Sequence, residues 1–190
     1  PDLVKFAKKH GLMLLAIADL ITYRLAKERV VRRIGETTVR REPYGDFKVY
    51  AYASDVDSAV HLALVKGEVS GKKPVLTRIH RTTPLTDLLD HMTGDGTLKR
   101  AFDRIQKEGR GVVVWLQKHA SGPEVLGKLP SNEQPVDDGQ ARLKEVGIGT
   151  QILQDLGLKK LKLLTNTPNK IIGIERYGIE VVEQIRLGVG

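Results

Sequence analysis

Residues 76–102, LTRIHRTTPLTDLLDHMTGDGTLKRAF, contain side chains of the types that bind a metal ion or a phosphate. The candidate nitrogen and oxygen ligands are His80, Asp87, Asp90, His91 and Asp95. Their spacing matches neither the H-E-x-x-H motif of zinc enzymes nor a calcium-binding EF-hand loop. A solvated or structural role is therefore the simpler interpretation.

Two turns in the chain could bind a phosphate. Asp95-Gly96-Thr97 opens a predicted helix, whose free backbone N–H groups attract anions, although these residues also serve as an ordinary helix cap. Residues 165–170, TNTPNK, follow the predicted strand KLKLLT and offer a hydroxyl, amides and a cation. Open α/β sheets bind ligands at the carboxyl ends of their strands, but a capped turn is an equally good interpretation.

Residues 122–128, GPEVLGK, have the glycine and lysine spacing of a nucleotide-binding P-loop. The next position is Leu129, where Mg²⁺ requires a hydroxyl, and Pro130 interrupts the helix that should follow. A P-loop is therefore not predicted.

Composition excludes several classes of site. The 190 residues include no cysteine, which rules out disulfides, thiolate nucleophiles and cysteine-bound zinc, and favours a cytoplasmic location. A net charge of +8 suits an anionic partner, but aromatic residues are only 5% and no nucleic-acid-binding motif is present, so no nucleic-acid partner is predicted.

No apolar run approaches the roughly 20 residues that span a membrane, so no membrane association is predicted. Because the chain begins with Pro1 and no signal-peptide pattern, we expect a fragment of a longer protein.

Hydrophobic periodicity predicts alternating helices and strands. Helices are expected over residues 2–9, 17–28, 97–108 (ended by Gly109), about 148–156 and about 169–176. Strands are expected near residues 30–39, 47–51, 61–69, 74–80, 111–117, 160–165 and 180–187, and residues 119–140 are expected to be a loop. This alternation predicts an α/β layered fold around a mixed, partly parallel sheet.

Four segments together resemble GTP cyclohydrolase II, the enzyme that opens riboflavin synthesis from GTP. They are YGDFKVYAY, HLALVKGEVSGKKPVLTRIH, IQKEGRGVVVWLQ and GIGTQILQDLGLKKLKLLTNTPNKIIGIERYGIEVVEQIRL. Residues 1–34 resemble the C-terminal end of 3,4-dihydroxy-2-butanone 4-phosphate synthase, and bifunctional riboflavin proteins carry the two in this order. The resemblance implies a synthase remnant and linker over residues 1–35, a cyclohydrolase-like domain over 36–190, a fused synthase domain upstream and a homodimer.

The resemblance implies a zinc site that this sequence does not retain. Members of the family hold zinc with three cysteines in the stretch equivalent to residues 76–102. The corresponding positions here lie near Thr83, Thr93 and Asp95, which are poor ligands for a borderline-soft ion. No cofactor is therefore predicted for this domain.

Other catalytic positions of the family also differ. Its Arg-Gln-Glu-Gly-Arg segment corresponds to residues 117–121, QKHAS. The family's general-base aspartate and proposed nucleophilic arginine correspond by position to Arg142 and Lys144. The family's active-site tyrosine has no counterpart, because no tyrosine lies between residues 53 and 176.

Four residues of the family's ligand-binding pattern remain: Arg78, His80, Thr165 and Lys170. They predict weak binding of a nucleotide or phosphate without hydrolysis. Our first hypothesis is a catalytically degenerate domain that regulates or dimerises its fused synthase. The alternative is a divergent, active GTP cyclohydrolase II that uses another metal through His80, His91 and the neighbouring aspartates.

Overall fold

The computed structural model describes residues 2–82, 96–117, 139–166 and 174–188. The helices are α1 (Asp2–His10), α2 (Ile17–Lys27), α3 (Thr97–Glu108), α4 (Gly139–Asp155) and a 3-10 turn (Ile174–Tyr177). The strands are β1 (Val31–Arg41), β2 (Gly45–Ser54), β3 (Val60–Lys66), β4 (Val75–Thr82), β5 (Gly111–Gln117), β6 (Lys160–Leu164) and β7 (Glu180–Ile185).

Seven strands form one mixed sheet in the order β1-β2-β3-β5-β4-β6-β7. The first three strands and β5 pair antiparallel to their neighbours, whereas β5, β4, β6 and β7 run parallel. The predicted α/β fold with a mixed sheet is confirmed.

Helices cover both faces of the sheet. On one face, α2 and α4 enclose the larger core, in which Ile148, Ile152 and Leu163 are almost fully buried. On the other face, α3 packs Ala101 and Ile105 against the sheet. Strand residues alternate between the two cores because successive side chains point to opposite faces.

The predicted helix near residues 97–108 is confirmed as α3. Its apolar stripe faces the sheet, and it ends at Gly109, which has the left-handed φ of 72° common at helix C-termini. The close approach of α3 to β5 also depends on glycine, because a Cβ at Gly111 would lie 2.6 Å from Ile105 Cγ1.

The helix predicted near residues 148–156 begins much earlier, at Gly139. Gly147 and Gly149 weaken the apparent helical pattern, but in the structure they make room for neighbours. A Cβ at Gly147 would lie 2.6 Å from Leu25 Cδ1 of α2. Of the helix predicted near 169–176, the described part is the short 3-10 turn at Ile174–Tyr177.

The domain division predicted between residues 35 and 36 falls inside β1. Residues on both sides of this division pair with β2, and the register shifts by a β-bulge or irregularity between Arg33 and Gly35. The division therefore stays a prediction.

The N-terminal segment has an unusually apolar exposed surface. Within the described residues, most large apolar side chains that are exposed lie between residues 3 and 23, and Met13 is 89% exposed. The others in this segment are Leu3, Val4, Phe6, Leu12, Leu14, Leu15, Ile17, Leu20 and Tyr23. Extensive exposed apolar surface commonly marks a contact with another folded unit.

Candidate functional site

Arg78 lies on β4 near the carboxyl ends of the parallel strands. Its Nη1 donates a hydrogen bond to the carbonyl oxygen of Leu164, the last residue of β6, at 2.9 Å. Its Nε is buried and has no hydrogen-bond partner among the described residues. Burial, and secondarily the nearby charge of Arg81, lowers the pKa of Arg78 from its usual value. None of the described carboxylates pairs with this guanidinium, so it retains donor capacity for an anion.

His80 follows Arg78 by two positions and therefore lies on the same face of β4. It is 7% exposed and meets Trp115 of β5 edge to face, with ring centroids 5.8 Å apart. The two residues are direct partners in the parallel register. Trp115 is only half-buried at this end of the strand.

Thr165 and Asn166 follow β6 at the same end of the sheet. Thr165 is 2% exposed, and its backbone N–H donates to Ile185 of β7 at 2.9 Å. The amide of Asn166 donates to Thr97 Oγ1 at the start of α3, at 3.3 Å, and its carbonyl accepts from the backbone N–H of Leu187, at 3.2 Å. These contacts fix the end of β6 against the first turn of α3.

Three of the predicted ligand-binding residues, Arg78, His80 and Thr165, thus lie at one end of the sheet. The other predicted positions, Lys170, Thr83, Thr93 and Asp95, fall outside the described residues, as does the side chain of Arg142. The ligand roles themselves stay predictions. Among the described residues, no three His, Asp or Glu side chains lie close enough to hold a metal ion.

Lys144 lies on the opposite face of the sheet, at the edge of a cavity of about 300 Å³. The cavity is lined by Val56, Asp57, Ser58, Ala59, His61, Leu116, Gln117, Lys144, Glu145 and Ile148. These residues come from the β2–β3 connection, the end of β5 and the first half of α4. Lys144, which the resemblance predicts to occupy the position of the family's nucleophile, therefore lies at a cavity with both polar and apolar walls.

Asp57 and His61 form an ion pair or hydrogen bond at the wall of this cavity. His61 Nε2 lies 3.2 Å from Asp57 Oδ1, and the same oxygen accepts the backbone N–H of Ala59 at 3.1 Å. His61 is only 2% exposed, whereas the Asp57 side chain is 38% exposed. Sequence reasoning did not identify either residue, because a short turn and a single strand histidine give no spacing motif.

A second arrangement missed by sequence reasoning joins α2 to α4. The buried side chain of Gln151 donates to the carbonyl oxygens of Leu25 and Glu28, each at 2.8 Å. Its Oε1 accepts the backbone N–H groups of Val30 and Val31 at 3.0 and 3.1 Å. One glutamine thus satisfies four backbone groups where α2 passes into β1.

Asp155, at the end of α4, extends this contact. It accepts hydrogen bonds from Arg29 at 2.6 Å, from Arg33 at 2.7 Å and from the Tyr52 hydroxyl at 3.0 Å. Burial penalises its charged form, but the hydrogen bonds from Arg33 and Tyr52 outweigh that penalty and lower the pKa of Asp155. Burial, followed by the bond to Asp155, raises the pKa of Tyr52 well above its usual value.

A sequence model of GTP cyclohydrolase II matches residues 32–186. The chain belongs to the GTP cyclohydrolase II family. The match covers the seven strands almost completely, so the family assignment applies to the whole sheet.

Matches to individual proteins extend the similarity beyond residues 32–186 and into the N-terminal helices. The chain is 38% identical over 202 residues to a riboflavin biosynthesis protein RibBA of Chlorobium phaeovibrioides, covering 99% of this chain and 49% of that protein. It is 42% identical over 192 residues to a 3,4-dihydroxy-2-butanone 4-phosphate synthase of Pseudomonas syringae, covering 97% of this chain and 52% of that protein. Both similarities include residues before position 32.

A solved structure shows the same relationship. The chain matches RibBX, a two-domain 3,4-dihydroxy-2-butanone 4-phosphate synthase from A. baumannii, with a TM-score of 0.66 and 32% identity. The match covers 97% of this chain and 48% of that one. The chain thus spans about half the length of the relatives that it matches.

The three-cysteine zinc site that the family resemblance implies cannot form in this chain. Zinc needs thiolate, imidazole or carboxylate ligands in a closed set, and the chain contains no cysteine. Threonine hydroxyls at two of the three corresponding positions are not zinc ligands of that kind.

No helix in the described parts of the chain has both the length and the apolar character needed to cross a membrane.

Proposed function

We propose that this chain is a catalytically degenerate GTP cyclohydrolase II-like domain that regulates or dimerises a fused 3,4-dihydroxy-2-butanone 4-phosphate synthase. The observation that carries the proposal is the absence of every cysteine from a domain whose family chemistry depends on cysteine-bound zinc. In the family that ion supplies the activated water that opens a purine ring, and this chain has no cysteine to bind it.

The charge at the family's catalytic positions supports the same proposal. A general base must be able to accept a proton, and Arg142 stands where the family has an aspartate. An arginine guanidinium stays protonated in proteins, so it cannot take that role.

The N-terminal contact supports a link to a synthase domain. The side chains of Gln151 and Asp155 bind backbone or side-chain groups of residues 25–33, and Leu25 packs against Gly147. A domain attached through α2 would therefore be held against α4 rather than on a free linker. The exposed apolar surface of residues 3–23 is also suited to contact such a domain.

A direct test removes the domain from the complete natural protein. Because β1 begins at Val31, deletion of residues 31–190 leaves no unpaired half-strand. We expect synthase activity or oligomeric state to change, measured by product formation and analytical ultracentrifugation. If the deletion protein matches the complete protein in both measurements, the proposed role is wrong.

One observation favours the alternative of a divergent, active GTP cyclohydrolase II. His80 is buried beside Trp115 at the end of β4, and an imidazole is a ligand type that metal enzymes use. Its suggested companions, His91 and the aspartates at 87, 90 and 95, lie outside the described residues. Formate and pyrophosphate release from GTP distinguishes this alternative from the degenerate domain.

A further inference from the structure

The cavity beside Lys144 is separated from the Arg78 and His80 site by the sheet. Leu116 and Ile148, which line it, belong to the core under α4, whereas the neighbours of Arg78 on its side of β4 belong to the core under α3. We propose that this cavity binds a small amphoteric effector, through an anionic group at Lys144 and N–H donors at Asp57. The proposal rests on the regulatory function proposed above and names the site at which regulation would begin.

Lys144 supplies the anion-binding group of the cavity. Its side chain is exposed at the cavity wall and has no ion-pair partner among the described residues. The adjacent carboxylate of Glu145 is already paired with Arg81 Nη1 at 2.9 Å. The ammonium group of Lys144 is therefore not held in an ion pair with a described residue, and it attracts a carboxylate or phosphate.

Asp57 supplies the group that accepts hydrogen bonds from N–H donors. Its Oδ1 is occupied by His61 and Ala59, but its Oδ2 has no hydrogen-bond partner among the described residues. When one oxygen of a carboxylate is held by hydrogen bonds, the other oxygen can accept a hydrogen bond from a defined direction. The bond from His61 holds this carboxylate in one orientation, so it is arranged before a ligand arrives.

The remaining walls suit a small planar ring. Val56, Leu116 and Ile148 give the cavity an apolar surface, and Gln117 and Ser58 add polar groups at its edge. A volume of about 300 Å³ is at the small end of the range for ligand sites. These features fit one ring with two polar substituents rather than a complete nucleoside triphosphate.

Helix α4 connects the cavity to α2. Ile148 lines the cavity, the preceding Gly147 contacts Leu25, and Gln151 binds the backbone where α2 ends. A ligand that shifts the first half of α4 therefore alters the contact through which an upstream domain is held.

The test uses 4-aminobenzoate as a probe, because it carries a carboxylate, a ring and an amino group. Benzoate and aniline are the matched controls, since each lacks one end. Titration of the 190-residue chain followed by NMR should show millimolar binding of 4-aminobenzoate, with each control weaker by about tenfold. Shifted amide signals should include Ala59, His61 and Gln117.

Variants identify the groups responsible. Lys144→Ala should weaken 4-aminobenzoate about tenfold while leaving aniline unchanged, and Asp57→Asn should weaken 4-aminobenzoate while leaving benzoate unchanged. Lys107→Ala, an exposed lysine on α3, is the control and should bind like the parent chain. Binding that is undetectable at about 10 mM, or unaffected by both cavity variants, overturns the proposal.

The deletion experiment separates this proposal from the proposed function. If the probe fails to bind but removal of residues 31–190 alters the synthase, the effector site is wrong and the regulatory function stands. If the probe binds as expected but the deletion changes nothing, the site stands as a binding site and its regulatory meaning is wrong.

Discussion

Gln151 of α4 and Leu25 of α2 are joined by a buried hydrogen bond, with the glutamine Nε2 2.8 Å from the leucine carbonyl oxygen. The same glutamine binds three further backbone groups between residues 28 and 31. Buried backbone groups that lose their partners each cost free energy, so this one side chain governs the local structure. The end of α2 and the start of β1 are thereby fixed to α4.

Gln151→Ala should lower the free energy of unfolding by about 3 kcal/mol, because four backbone groups lose their partner and a small cavity forms. Urea denaturation measured by circular dichroism gives this value. The control is Gln106→Ala, whose exposed amide makes one long 3.4 Å bond to Pro43 and should change stability by less than about 0.5 kcal/mol. Equal effects of the two variants would mean that Gln151 does not stabilise the contact between α2 and α4.

Two glycines two positions apart in α4 provide a matched pair. Gly149→Ala places its Cβ 3.5 Å from the nearest atoms, so the better helix propensity should raise the free energy of unfolding by about 0.5 kcal/mol. Gly147→Ala places its Cβ 2.6 Å from Leu25, and the crowding should lower that free energy by about 1–3 kcal/mol. Thermal denaturation of both variants measures the difference.

The opposite signs are the essential result. The double variant Gly147→Ala, Leu25→Ala should lose less stability than the sum of its two single variants, because the smaller side chain relieves the crowding. Additive losses would contradict the packing of α2 on α4.

Asp155→Asn should lower the free energy of unfolding at neutral pH by about 2 kcal/mol, because charged hydrogen bonds from Arg29 and Arg33 are weakened. The pKa of Asp155 is lower in the folded protein, so the unfolded chain binds more protons and this stabilisation disappears as pH falls below about 4. Urea denaturation from pH 7 to pH 3 should show the parent and variant converging in acid. Asp46→Asn, at an exposed side chain, is the control. A constant difference across that range would contradict the role of Asp155.

Residual ligand binding is predicted at the carboxyl ends of the parallel strands. Calorimetry should detect weak binding of GTP or inorganic phosphate that is lost in Lys170→Ala and retained in Lys107→Ala, because only the first lysine belongs to the family's ligand pattern. Arg78, with its buried and unshared Nε, is expected to contribute the second cation. If the unmutated chain binds neither GTP nor phosphate, the residual site does not exist.

Much of the fold follows from local sequence pattern. The apolar spacing of Leu98, Ala101, Phe102 and Ile105 predicts α3, and Gly109 predicts its end. Alternation and short apolar runs likewise predict the strands, including the buried GVVVWLQ. These features are set by neighbours within one or two turns, which a sequence displays directly.

The features that sequence did not reveal depend on distant contacts. The glycines of residues 147–149 resemble a helix break until Leu25 and Ile79 are seen to occupy the space beside them. Gln151 binds backbone atoms more than 100 positions away, and its type and spacing carry no motif. The contact between Asp57 and His61 matters because it lines one cavity with residues of α4 and β5, which only the fold brings together.

The central claim, loss of cyclohydrolase catalysis, is tested most directly on the complete protein supplied with zinc. Elemental analysis for bound zinc is combined with measurement of formate and pyrophosphate released from GTP. We predict far less than one bound zinc ion per chain, and no release of formate or pyrophosphate above background. Stoichiometric zinc together with GTP turnover well above background would contradict the account.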